Sequence, residues 1–296
     1  MSPVVARRAA RRRGALAALT GAVLAAAGCS GSGPLGPPSD APLDHELVSE
    51  HFEFHFAAGD TIRPDEAALN DRAYEIIRDA LETDFSRRIE FNKFFDADHI
   101  ERLTGVRTEG GFVIGGRIFL TRALDPHETV HVIAHEELGR PSDFFDEGLA
   151  VNFGGLRVVD GEVTLFPSAL RNFDVDREAL TVFAGGRFDG SVRQILTSAA
   201  FQQLPFEVTY PLAGSFVKFL LRTRGLAALK TFFAASSQFD SQAEIEERLA
   251  LAFGAPLDDL EAEWRAGAGL PAADRALPRT AIAAARPGPR GLTTRE

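Results

Sequence analysis

A single cysteine, Cys29, stands in a chain of 296 residues, and that scarcity removes whole classes of chemistry. One thiol cannot form an intrachain disulfide, and it cannot build a cysteine-rich metal knuckle. Basic charge is short as well. Lys and Arg number 32 against 42 Asp and Glu, a formal net charge of −10. Arg7, Arg8, Arg11, Arg12 and Arg13 all precede Cys29, in a stretch with no acid. Without that stretch, 27 basic residues face 42 acidic ones, about −15. Such a balance excludes a nucleic-acid groove, which needs clustered positive charge. The apolar run Gly14–Ala27 is too short to span a bilayer as a mature helix. No internal repeat is visible. What remains is ordinary for a globular protein: 45% hydrophobic and 25% charged residues, with a middle region long enough for one large domain or two packed lobes.

The two ends read differently from the middle. Residues 1–28, arginines followed by an apolar run, have the pattern of a signal peptide. The run closes on Leu24-Ala25-Ala26-Ala27-Gly28-Cys29, which resembles a bacterial lipobox, although Ala26 stands where leucine is usual. The resemblance implies lipidation of Cys29 and a lipid anchor at a bacterial membrane, in the cell envelope, facing the periplasm or exterior. A plain signal peptide cleaved nearby is the alternative. Residues 29–48, dense in Gly, Ser and Pro, read as a tether. Residues 267–296, rich in Ala, Pro and Arg, read as a disordered tail.

The domain expected between them covers 49–266, an α+β part over 49–155 and a mainly helical part over 156–266. Phe52, Phe54 and Phe56 alternate at strand spacing. Residues 64–83 have helical spacing behind Arg63-Pro64, and 88–95 read as a strand. A short helix follows at 98–104, then a glycine-punctuated hairpin or bent strand over 110–120. Helices are expected over 126–138 and 143–153. Asp160-Gly161 marks a hairpin between 156–159 and 162–166. Beyond Pro167 the signals are helical, at 176–184, 190–203, 207–224, 226–236, 241–252 and 256–266.

The chemistry concentrates in His127-Glu128-Thr129-Val130-His131. Two histidines four residues apart lie on one face of a helix, so their ring nitrogens can converge on one metal ion. Glu128 lies about 100° around the helix and flanks that ion without having to ligate it. Asp125 and Pro126 specify the helix start. A structural reading also fits: Asp125-x-x-Glu128 has capping-box spacing, and both histidines could be hydrogen-bonded core residues. A third candidate ligand, Glu147, sits in Phe144-Phe145-Asp146-Glu147-Gly148-Leu149-Ala150, an apolar setting costly for a lone carboxylate. Gly139, Arg140 and Pro141 break the first helix, and Ser142 is placed to cap the next. An antiparallel return would bring Glu147 level with the histidines. His135, at i+8, is too far along the axis to share one ion with His127. His45, His51, His55 and His99 read as ordinary surface or edge residues.

HExxH followed by a helix carrying Glu-Gly-Leu-Ala resembles the gluzincin metallopeptidases, especially those called peptidase MA-like, over about residues 49–266. Tyr210-Pro211-Leu212-Ala213-Gly214-Ser215-Phe216-Val217 resembles a further helix of that family. The resemblance implies a two-lobe gluzincin-like fold with a small mixed, mostly antiparallel sheet and a helical C-terminal lobe. It implies Zn2+ held by His127, His131 and Glu147, with Glu128 as catalytic base and Tyr210 stabilising the oxyanion. The substrate would be a peptide or protein. Two departures stand out: a short gap between His131 and Glu147, and Ser142-Asp143-Phe144-Phe145 where Pro-x-Trp is usual. A non-catalytic envelope lipoprotein that binds peptide or protein with the same fold is the alternative.

Overall fold

The structure, a computed structural model, describes residues 41–108, 110–160, 162–168 and 174–272. The expected signal peptide, Cys29, most of the tether and the tail beyond residue 272 lie outside them.

Five strands form the main sheet: β1 (His45–Val48), β2 (Phe52–Phe56), β3 (Ile89–Lys93), β4 (Phe112–Ile114) and β5 (Arg117–Leu120). Their spatial order is β1-β2-β3-β5-β4. β1 pairs antiparallel with β2 and β4 with β5, whereas β2–β3 and β3–β5 are parallel. The sheet is therefore mixed, with parallel pairing at its centre, and the mostly antiparallel arrangement does not hold. The reason is in the connections. Helix α1 (Pro64–Ala80) separates β2 from β3, and α2 (Ala97–Thr104) lies between β3 and the β4–β5 hairpin. Crossovers of that length place consecutive strands parallel.

The alternation in β2 works as its spacing demands. Phe52 and Phe54 are fully buried while Glu53 is exposed. Phe54 lies in register with Phe91, and Phe91 with Ile118, so one apolar row crosses the sheet. Residues 45–48, expected as tether, instead form the first strand. Leu47 sits opposite Phe54 and packs against the core, which gives the segment a side chain to bury. Gly115 and Gly116 turn the β4–β5 hairpin with φ of 59° and 70°, values that favour glycine.

Helices α3 (Pro126–Glu137) and α4 (Asp143–Phe153) follow, then a separate two-stranded sheet of β6 (Gly155–Val159) and β7 (Glu162–Phe166). The helical part contains α5 (Val175–Ala184), α6 (Ser198–Phe201), α7 (Phe206–Arg224), α8 (Leu226–Ala235), α9 (Gln242–Phe253) and α10 (Leu257–Ala268). The helix expected over 190–203 is broken into a 3-10 turn at Val192–Ile195 and the single turn of α6. Ser191 and Thr197 each cap a new start, accepting from the N–H groups of Arg193 and Ala200. At the far end α10 runs past the expected domain boundary to Ala268, stops at Gly269 in the left-handed region, and is followed by buried Leu270.

One hydrophobic core runs from the sheet through α3 and α4 into the helical part. Phe144 and Phe145 of α4 pack on Phe216 of α7, Phe145 also meets Phe232 of α8, and Phe216 meets Trp264 of α10. The two expected lobes thus share their packing. This is an α+β architecture in which α4 is at once the second helix of the site and the hub of the helical part.

Candidate metal centre

The site begins with how α3 starts. Asp125 adopts extended backbone and its carboxylate accepts from the His127 N–H at 3.1 Å, with Pro126 at the first helical position. The reciprocal bond that a capping box requires is not made by Glu128, so the structural role open to that residue is unfilled. α3 is buried from Pro126 to Ala134; His127, Glu128 and His131 retain 8%, 7% and 6% exposure.

α4 returns antiparallel. Asp146 near its start meets His131 and His135, while a Cβ on Gly154 at its end would lie 2.5 Å from the His127 Cα. Ser142 occupies the N-cap position of α4, but its buried hydroxyl makes no bond. The cap comes instead from Ser198 of α6, whose Oγ accepts from the Asp143 N–H at 3.0 Å and donates to the Asp143 carboxylate at 2.9 Å.

This return brings together the three ligand candidates. His127 Nε2 lies 3.0 Å from Glu147 Oε2 and 3.2 Å from His131 Nε2, and His131 Nε2 is 3.6 Å from Glu147 Oε2. Ligand atoms bound tetrahedrally at zinc distances are about 3.3–3.4 Å apart, so the spacing fits a small metal ion. His135 does not join the set. Its Nε2 bonds the Asp146 carboxylate at 2.8 Å.

The groups behind the rings favour which nitrogens face one another. Asp146 Oδ1 is 3.2 Å from His131 Nδ1. The two atoms stand at ion-pair distance without hydrogen-bond alignment, and the negative carboxylate favours the proton on Nδ1, which leaves the Nε2 lone pair free. Ser168 Oγ is 2.8 Å from His127 Nδ1 and donates its one proton to the Ala150 carbonyl, 3.2 Å away. It therefore accepts from His127 Nδ1–H, and that Nε2 lone pair is free too. In these tautomers two nitrogen lone pairs and a carboxylate oxygen converge on one buried point, an arrangement relieved by a bound cation or by a proton on an imidazole Nε2. His₂Glu is a donor set suited to a metal ion with room for one further ligand.

The acidities follow from the same crowding. Burial opposes a charge on His131, but Asp146 and Glu147 outweigh it and raise its pKa well above the usual imidazole range. His127 is raised too, since Glu147 offsets its burial. Burial likewise opposes ionisation of Glu147, yet His131 and His127 pull its pKa down to about 2. Asp146, against its burial, is held by His131 and His135 far below the carboxylate range. Glu128 goes the other way: burial raises its pKa, with the two histidines only partly opposing. No hydrogen bond ties its carboxyl to another described residue.

Tyr210 reaches the site from the first turns of α7. Its ring stacks on His127 at 5.9 Å between centroids, and Glu147 is among the charges that act on its hydroxyl. Burial first, then the Glu147 charge, pushes its pKa up, which keeps the phenol a donor. Pro211, the next residue, has no N–H to offer the Glu207 carbonyl, and Arg187 donates to that carbonyl instead. The α4–α7 approach that carries Tyr210 in depends on glycine. A Cβ on Gly148 would lie 2.7 Å from the Ala213 carbonyl oxygen, and one on Gly214 would lie 2.6 Å from Val151.

Two cavities meet at the ligands. A larger one, about 550 Å³, extends past Ser168, Phe206 and Arg122. A smaller one, about 170 Å³, runs along Phe112 and Val113 of β4 toward His135 and Arg140. Gly111, His127, Glu128 and Tyr210 border both. All five residues expected at the site, His127, Glu128, His131, Glu147 and Tyr210, are in it. Asp146 and Ser168 were not assigned a role from sequence. Asp146 left a signal, a second carboxylate in the same apolar stretch as Glu147; Ser168 left none. His99, expected at the surface, is fully buried, its Nδ1 accepting from the Phe95 N–H and its Nε2 2.8 Å from the Ala41 carbonyl oxygen.

Compared with protein families, curated proteins and solved structures, the protein matches none of them, and its site is read from its own atoms.

Proposed function

We propose that this protein is a zinc-dependent peptidase of gluzincin type, hydrolysing peptide bonds in the cell envelope. The observation that carries the reading is Glu128. It stands on the cavity wall beside a complete His127–His131–Glu147 ligand set, caps nothing, and has a pKa raised by burial. A purely structural metal site has no use for such a carboxylate.

His127, His131 and Glu147 would hold a zinc ion, which would supply a Lewis acid for water and the scissile carbonyl. Glu128 takes the proton of the attacking water and delivers it to the leaving amine, a task favoured by a carboxylate pKa moved toward neutrality. Tyr210, a donor at every working pH, turns its hydroxyl to the developing oxyanion. Asp146 and Ser168 hold the two imidazoles in the tautomers that ligation requires. A peptide is favoured as substrate by β4. It is an edge strand of the sheet and borders the smaller cavity, so an extended peptide can add to it by backbone hydrogen bonds. The lipobox-like segment supports anchoring through Cys29.

Glu128→Gln and Glu147→Gln separate the roles. Glu128→Gln is expected to retain about one zinc per molecule and its thermal melt, and to lose roughly 10²–10⁴-fold in turnover on any peptide the wild type cleaves. Glu147→Gln is expected to lose zinc affinity, because an amide oxygen is a poorer ligand. Undiminished turnover in Glu128→Gln, or zinc lost there and kept in Glu147→Gln, overturns the assignment.

A further inference from the structure

The two cavities that meet at the site are each bordered by one exposed arginine, and the two arginines are in opposite states. Arg122, in the larger cavity, is ion-paired with Asp125. Arg140, in the smaller one, makes no ion pair or hydrogen bond with any described residue. It stands in the break between α3 and α4, held between Gly139 and Pro141. Gly139 adopts φ 114°, and a Cβ there would lie 2.7 Å from the Phe233 carbonyl oxygen, so the backbone under Arg140 is set by close packing.

Four carboxylates border the same cavity. Glu128, the proposed base, makes no ion pair with Arg140, and the other three are committed elsewhere. Asp143 takes the Ser198 hydroxyl at 2.9 Å and the Gln202 amide at 2.5 Å. Asp146 lies between His131 and His135, at 3.2 and 2.8 Å. Glu147 lies between His127 and His131. A guanidinium offers five N–H donors in a planar fork matched to a carboxylate. In this cavity it has no such partner among the described residues.

We infer that Arg140 is a specificity-determining residue that binds a carboxylate of the substrate on the β4 side of the reacting bond. The inference rests on the peptidase reading and narrows its substrate class to peptides bearing a negative charge there. Arg140 and Glu147 border one small cavity, and an extended peptide advances about 3.3–3.6 Å per residue. The recognised carboxylate therefore lies within roughly one to three residues of the scissile bond. Both the free carboxyl terminus of a peptide and an Asp or Glu side chain supply that chemistry.

The test measures binding rather than turnover. The zinc-loaded, full-length protein with Glu128→Gln is titrated by calorimetry with four acetylated tetra-alanine peptides. One ends in a free carboxylate and one in an amide. The other two are amides with Glu or Gln at the third position. A free acid preferred over its amide by about tenfold assigns the pocket to a carboxyl terminus; the same preference for Glu over Gln assigns it to a side chain. In Arg140→Gln, made in the same background and checked by thermal melt, the preferred ratio is expected to fall to about one. Raising the salt concentration shrinks the ratio before substitution and leaves it flat after. Equal binding of acids and amides, a preference that survives Arg140→Gln, or no binding of any of the four overturns the inference. Failure of the peptidase reading registers separately, in zinc content and in wild-type cleavage.

Discussion

His131 uses both of its ring nitrogens: Nε2 faces His127 and Glu147, and Nδ1 faces Asp146. At this scale the site depends on a carboxylate that is not itself among the three converging ligand atoms. Asp146→Asn preserves size but exchanges a pure acceptor for a group that also donates, so the proton on His131 Nδ1 is no longer dictated. Zinc affinity is expected to fall about 10–100-fold while the protein stays folded, measured by competition with a chelating dye alongside far-UV circular dichroism. Wild-type affinity in Asp146→Asn refutes the orienting role. Asp146 was within reach of the sequence, because two acids side by side in Phe144–Ala150 both need partners in an apolar setting. Which of the two stands with the histidines as a possible ligand was a matter of helix phase, and Glu147 follows from the antiparallel return of α4.

At the scale of elements, the α4–α7 contact positions the tyrosine. Gly148 follows Glu147 directly and lies against the α7 backbone near Ala213. Gly148→Ala adds helix propensity worth up to about 1 kcal/mol. It also drives a methyl to 2.7 Å from a carbonyl oxygen and 2.6 Å from Val217 Cγ2, where the backbone cannot yield cheaply. Overpacking of that kind costs about 1–3 kcal/mol and wins. A melt lower by several degrees is expected, with turnover falling further than stability because Tyr210 is pushed from the site. A melt at or above wild type contradicts this account of the contact. The helix boundaries themselves were legible, since capping and 3.6-residue spacing are local. The break at 190–203 was less so, because Ser191 and Thr197 are ordinary residues until each caps a turn.

At the scale of the whole molecule, the described residues contain no helix long and apolar enough to cross a membrane, and the proposed attachment lies in the segment ending at Cys29. A lipidated cysteine carrying more than one acyl group is enough for stable anchoring. Cys29→Ser is expected to shift the protein from the membrane to the soluble fraction on carbonate-washed fractionation, with zinc content unchanged. Equal membrane retention in Cys29→Ser removes lipidation at this position.

The sequence by itself determined the site's nucleus. Two histidines at i and i+4 share a helix face whatever surrounds them, Glu128 falls beside them by the same periodicity, and Glu147 stands out by the cost of its setting. The order and type of nearly every element followed from equally local signals. Tertiary structure alone decided the rest. Parallel pairing at the centre of the sheet, Ser168 behind His127, the shared core around α4, and Arg140 without a partner among the described residues, beside three committed carboxylates, all join residues far apart in the sequence or depend on what such residues leave free. Periodicity and capping act within a few residues. Tautomer, register and unpaired charge are set by whichever distant atoms the packing brings near.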